Sequence, residues 1–289
     1  MRVFGDRVPA WPPLAAVFAL AGAVLVAGLA PLLAALPALA AGSERPAPAV
    51  VLLAAVLSAA GVVALVARVA RLTRPVTAVQ LGLRAPRDPA RAVVLGLGAA
   101  AALGAVAAVW SLLGGLGGSL TVPPELDTRS LTAQVHDLPV RDATPFGPGL
   151  IASALARCVL PVVAGEILLR GFAFPALSAW KGPLPAALIV SVAFGGFASL
   201  ASAPGLAVLS MAMGVLLCGL YVATGSLLPG IALAAAAAAT ALGAACALPA
   251  VAIGGLAAGC ALTALALAAI PALRGFGVPR RSELRGSAA

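Results

Sequence analysis

The chain has 289 residues and a mass of 27.9 kDa, with 62% hydrophobic residues, 9% charged residues and a mean hydropathy of +1.12. A soluble domain carries roughly 25% charged residues, and a water-soluble globule of this size has too little interior to hide so much apolar surface. A soluble enzyme, a secreted disulfide scaffold and a disordered tail are therefore excluded, and the sequence reads as an all-α polytopic membrane protein. The net charge of +9 and pI near 11.2 fit Lys and Arg gathered in short cytoplasmic loops better than a nucleic-acid surface. The expected partner is the lipid bilayer, with no nucleic acid.

A helix needs roughly 20 apolar residues to cross the bilayer core. The apolar runs between charges, prolines and turn clusters give about eight spans, at 14–38, 49–67, 91–113, 148–169, 184–201, 205–223, 227–247 and 250–273. The first run follows Arg2 and Arg7 and ends in Ala38-Leu39-Ala40-Ala41, as a cleavable signal would. It is longer than the roughly 7–15 residues of a signal core, which favours an uncleaved helix. The organisation predicted is N-terminal helices over 1–146, a core over 147–247, and a last helix with a basic tail over 248–289.

Basic residues set the orientation. Arg68, Arg71, Arg74, Arg84, Arg87 and Arg91 lie between spans two and three, Arg274, Arg280, Arg281 and Arg285 in the tail, and Arg2 and Arg7 at the start. With an even number of spans all three groups share one side. The other side holds Arg45, Arg129 and Arg141 with Glu44, Glu125, Asp127, Asp137 and Asp142. Both termini and segment 68–91 are expected in the cytoplasm, and Trp11, Trp110 and Trp180 at the interface. Segment 68–91 interleaves its arginines with Val69, Leu72, Val76, Val79, Leu81 and Leu83, so it reads equally as a charged loop or as a stretch lying flat on an anionic leaflet. In the polar loop 117–147, His136 beside Asp137 reads as solvated. Cys158, Cys218, Cys246 and Cys260 sit in apolar runs without CxxC spacing and read as packing residues. Gly114-x-x-x-Gly118 and Gly255-x-x-x-Gly259 fit close helix packing.

An ionisable group at a span centre costs on the order of 2.5–3.5 kcal/mol on insertion scales. The only acid in any predicted span is Glu166, with Arg170 four residues later. That spacing puts both on one helix face in the better order for an ion pair. Arg157 has no acid three or four residues away and is expected to face water, headgroups or the bundle interior.

Three stretches then carry a resemblance. The first is Gly165-Glu166-Ile167-Leu168-Leu169-Arg170-Gly171, the second Phe194-Gly195-Gly196-Phe197-Ala198, and the third Thr224-Gly225-Ser226-Leu227-Leu228-Pro229 with the helix after it. In this order they resemble the CPBP family of intramembrane proteases, which includes CAAX-processing endopeptidases and bacterial Abi-type proteins. The likeness covers roughly 147–240, with Leu81-Gly82-Leu83-Arg84 similar to the family's lead-in. The family's motifs are Glu-Glu-x-x-x-Arg-Gly, Phe-x-x-x-His and a His-x-x-x-Asn or His-x-x-Asn element. Laid on this chain, the water-activating Glu falls on Gly165, the second Glu on Glu166, the Arg on Arg170 and the Phe on Phe194. The two His positions fall on Ala198 and Ala234, and the Asn on Ala237 or a neighbouring alanine.

The resemblance implies a CPBP-like helix bundle in a bacterial-type plasma membrane, with a membrane protein or a prenylated or transmembrane peptide as partner. Amide hydrolysis needs a water activator, a proton shuttle and an oxyanion stabiliser, and spans four to eight hold no His, Asn, Asp or Gln. No intact catalytic set, cofactor or metal site is expected, since one carboxylate without His cannot supply three ligands. The expected chain is a binding or scaffolding relative of the proteases, with an alanine-lined hollow where the site would be. Two alternatives stay open: an active endopeptidase with an atypical site, and a small transporter or channel subunit, for which a single membrane acid is sparse.

Overall fold

The computed structural model describes residues 11–40, 48–73, 77–112, 151–152, 154–201, 205–245 and 248–273. Among them the chain forms eight helical segments: α1 (Pro13–Ala40), α2 (Pro48–Thr73), α3 (Pro89–Leu112), α4 (Leu155–Lys181), α5 (Pro183–Ala201), α6 (Gly205–Thr224), α7 (Leu228–Ala245) and α8 (Ala250–Leu273). Helices α1 to α4, α6 and α8 are long and apolar enough to cross a membrane, while the apolar stretches of α5 and α7 are shorter. The fold is an all-α membrane-spanning bundle, as expected. The termini, the polar loop 117–147 with His136, Gly114, Gly118, Cys246 and the side chain of Trp110 lie outside the described residues.

Proline and glycine punctuate the helices. Proline opens α1, α2, α3 and α5, where its missing N–H costs nothing because first-turn donors are unpaired anyway. Asp88 caps α3 by accepting the Arg91 N–H at 3.0 Å. Gly182 (φ 87°) turns the chain from α4 into α5, and Gly225 (φ 64°) from α6 into α7; both are left-handed backbones that a Cβ disfavours.

Helix α4 is the axis around which the others are arranged. In its membrane-spanning window 72% is buried, against 11% to 28% for the other candidate spans. It touches α1, α2, α5, α6, α7 and α8. The sequence reading ended this span near 169 because Arg170 looked like a boundary; the helix instead runs on to Lys181, since Arg170 is charge-paired inside the bundle. Two wide turns interrupt it, at Leu155–Val159 and Ile167–Ala173, just ahead of Pro161 and Pro175. Proline lacks the donor and crowds the carbonyl four residues back, so the chain shifts to bonds spanning five residues, from Leu160 N–H to the Leu155 carbonyl and from Phe174 N–H to that of Leu169. Near the first wide turn, the Cys158 thiol meets that of Cys260 from α8, and both are buried.

One end of the bundle is set level with Gly171 and Phe172. Trp11, just ahead of α1, packs on Phe172 with ring centroids 5.0 Å apart. It is 1% exposed and its indole N–H has no acceptor among the described residues, with Phe172 as an aromatic partner inside the bundle. Trp180 is 58% exposed near the end of α4.

The described parts of segment 68–91 join the helices and the bundle interior. Arg68 and Arg71 belong to the end of α2 and Arg91 to the start of α3. Between them residues 77–84 form a strap tucked into the bundle, burying Ala78, Leu81 and Leu83. Its backbone finds partners there, which makes the burial affordable: the Leu227 N–H donates to the Gly82 carbonyl at 2.9 Å. Helix packing of Gly255 and Gly259 is not realised within the chain, because both lie exposed on α8.

Candidate functional site

The site grows from the second wide turn of α4. Glu166 and Arg170 are 2% and 0% exposed, and the guanidinium Nη1 donates to Glu166 Oε1 at 2.8 Å. Nη2 donates to the Gly214 carbonyl of α6 at 3.3 Å. The guanidinium carbon sits 4.6 Å from the Phe194 ring centroid on α5, and the Cys218 thiol of α6 completes its surroundings. Arg170 Nε is buried without an acceptor. One guanidinium therefore ties α4 to α5 through a ring face and to α6 through a carbonyl and a thiol, with the Glu166 carboxylate of α4 itself opposing its charge.

Glycine makes these approaches possible. At Gly214 a Cβ would lie 2.8 Å from Ser191 Oγ, a hydroxyl that donates to the Ala187 carbonyl. On α7, Gly230 faces the other carboxylate oxygen, with a Cβ there falling 3.4 Å from Glu166 Oε2.

The remaining motif positions distribute around this pair. At Gly165 a Cβ would meet nothing within 4 Å, so the direction a side chain would take from that position is open. Ala234, 3% exposed, follows Gly230 by one turn and shares its face of α7; Ala237, half-buried, comes three residues later. Ala198 follows Phe194 by one turn on α5, and its side chain lies outside the described residues. Glu166, Arg170 and Phe194 are thus brought together, with the α7 positions alongside. Among the described residues no group of three or more His, Cys, Asp or Glu is placed to hold a metal ion.

Of the contributors, Gly214 was not singled out from the sequence and Cys218 was read only as a packing residue. Gly214 and Cys218 occupy a charge-free run, and nothing in such a run marks a carbonyl or thiol that will meet a guanidinium. The sequence marked Leu81-Gly82-Leu83-Arg84 and Thr224–Pro229 as two separate parts of the resemblance, and the structure joins them in a junction beside the site. Arg84 Nε donates to the Gly225 carbonyl at 2.8 Å, and the Ser226 hydroxyl donates back to the Arg84 carbonyl at 2.5 Å. Thr224 Oγ1 accepts the Ser226 N–H at 3.3 Å, and Ser226 Oγ accepts the Leu228 N–H at 3.2 Å. A Cβ on Gly171 would come 2.8 Å from the Leu81 carbonyl, so strap, α4 and the α6–α7 turn meet at one point.

Gly82 is the most constrained residue of that junction, with φ 84° and a Cβ position 2.7 Å from Tyr221 Cε2. Gly82→Ala is expected to cost about 2 kcal/mol through backbone strain and overpacking, read as a lowered unfolding midpoint in detergent.

The fold and the charged core define an intramembrane helix bundle organised around one ion pair. Residues 147–240 match the family model described as Type II CAAX prenyl endopeptidase Rce1-like, of the CPBP family. No curated protein and no solved structure matches the chain.

Proposed function

We propose that this protein is a catalytically silent CPBP-type membrane protein that binds or scaffolds a partner, either another membrane protein or a prenylated or transmembrane peptide. The observation that carries the reading is the Glu166–Arg170 pair, closed at 2.8 Å and fully enclosed. A carboxylate held this way is engaged with its partner and closed off from the water it would have to activate. The positions that would supply the base and proton shuttle are Gly165, Ala198 and Ala234, with Ala237 at the amide position, and none offers a proton-accepting group. In this reading Glu166, Arg170 and Phe194 are the vestige of the motif, retained because they hold α4 against α5 and α6.

The decisive experiment incubates the purified, folded protein with prenylated CAAX peptides and with transmembrane substrates. Cleavage no greater than that of a folded Glu166→Ala control is expected, and turnover that requires Glu166 overturns the proposal. The same reading places both termini and the strap in the cytoplasm of a bacterial-type plasma membrane. Cysteine introduced at exposed Arg87 should accordingly be labelled from the cytoplasmic side only, and labelling from outside intact cells reverses the orientation.

A further inference from the structure

Only four cysteines occur in the chain, yet packing brings two of them together. Helices α4 and α8 carry one cysteine each, Cys158 and Cys260, about 100 residues apart. Both helices are rich in alanine, which fills small gaps in a bundle without a reactive group. The fold instead sets two thiols in a shared hydrogen bond, at 2% and 5% exposure. The Glu166–Arg170 site uses a different thiol, Cys218. Sulfur facing sulfur from two separate helices is the arrangement that a disulfide requires and that a lone packing cysteine lacks.

We infer that Cys158 and Cys260 are a redox pair that hydrogen peroxide oxidises to a disulfide between α4 and α8. Peroxide is small and uncharged, so it suits sulfurs enclosed in an apolar bundle. The sulfurs must close from hydrogen-bond contact to about 2 Å. Cys158 has the slack for this, because it sits in the wide turn Leu155–Val159, where the helix bonds span five residues. Cys260 Sγ, the less buried, attacks one peroxide oxygen as the O–O bond breaks. Its proton leaves with the other oxygen as water, and a sulfenic acid remains. Cys158 Sγ then attacks the sulfenic sulfur, the S–O bond breaks, and the oxygen departs with the Cys158 proton as a second water. The thiol pair loses two electrons and the peroxide gains them. Helices α4, α7 and α8 touch one another pairwise, so the link fixes all three as one unit. It stiffens the α7 wall that sets Gly230 opposite Glu166. The inference rests on helix packing and is independent of whether the Glu166 site is silent.

The test uses full-length protein in lipid nanodiscs, first reduced and then exposed to hydrogen peroxide. Remaining thiols are alkylated after unfolding, and the peptides are mapped by mass spectrometry. A peptide pair linked through Cys158 and Cys260 is expected, and a dithiol reductant should restore both thiols. Closing a loop of about 100 residues should raise the unfolding midpoint by roughly 5–10 °C over the reduced protein. Cys158→Ala and Cys260→Ala should each abolish that rise. Should either variant fail to fold, the linked peptide from the wild-type chain still decides. Alkylation of both Cys158 and Cys260 after peroxide treatment overturns the inference, as does a disulfide joining two copies of the chain instead. A linked peptide that leaves the midpoint unchanged overturns it too.

Discussion

Replacing Glu166 by glutamine is expected to lower the folded stability by roughly 3–5 kcal/mol, the cost of stranding one member of a buried ion pair. The effect should be unequal between the partners. A guanidinium cannot shed its charge inside a protein, so Glu166→Gln leaves a full positive charge at a position 0% exposed. Arg170→Gln leaves a carboxyl, which escapes the same fate by taking up a proton, and its cost should be nearer 1–3 kcal/mol. The Gly214 carbonyl and the Phe194 ring soften the first substitution by continuing to face the cation, but neither carries a net negative charge. The double variant should therefore be milder than Glu166→Gln alone, a non-additivity that only coupled residues show. Unfolding midpoints of the three variants in detergent read the ranking directly. Wild-type midpoints for both single variants would mean the pair contributes nothing to folding.

Most of the helical architecture was legible because membrane spans write themselves as long apolar runs, and the expected ranges overlap all eight helical segments. Where the reading departed, a polar group had found a partner far along the chain. Arg170 looked like the end of span four because a free arginine would end it, and only the Glu166 carboxylate, the Gly214 carbonyl and the Phe194 ring let the helix continue to Lys181. Trp11 was marked only as an indole near a span end, and its packing on Phe172 joins residues too far apart in the chain for any local pattern to show. The burial of the strap at 77–84 was not legible because its hydrogen-bond partners lie about 140 residues away, in the Thr224–Pro229 turn. Of the site itself, the Glu166–Arg170 spacing announced a pair. Its depth, and the contributions of Gly214 and Cys218, depend on the packing of α6, which no local pattern in a run of apolar residues encodes.

Grafting the absent groups back should separate a silent scaffold from an enzyme that uses other residues. Gly165→Glu is expected to fold, since its side chain leaves the helix into open space, and to remain inactive, because a second carboxylate without a proton shuttle completes only part of the chemistry. Ala234→His is the costlier change: the position is buried at 3% exposure, and enlarging a buried side chain costs typically about 1–3 kcal/mol. Gly165→Glu with Ala198→His and Ala234→His should therefore be less stable than wild type, and any cleavage of a prenylated CAAX peptide should arise only when all three are present. Such an all-or-none gain is the signature of groups that act as a unit. It would place the lost reaction at these positions and leave the parent chain with the scaffold alone. Cleavage by the parent chain at a rate the triple variant does not exceed would instead assign turnover to residues outside this set, and the reading of Gly165, Ala198 and Ala234 as vacated catalytic positions would fall with it.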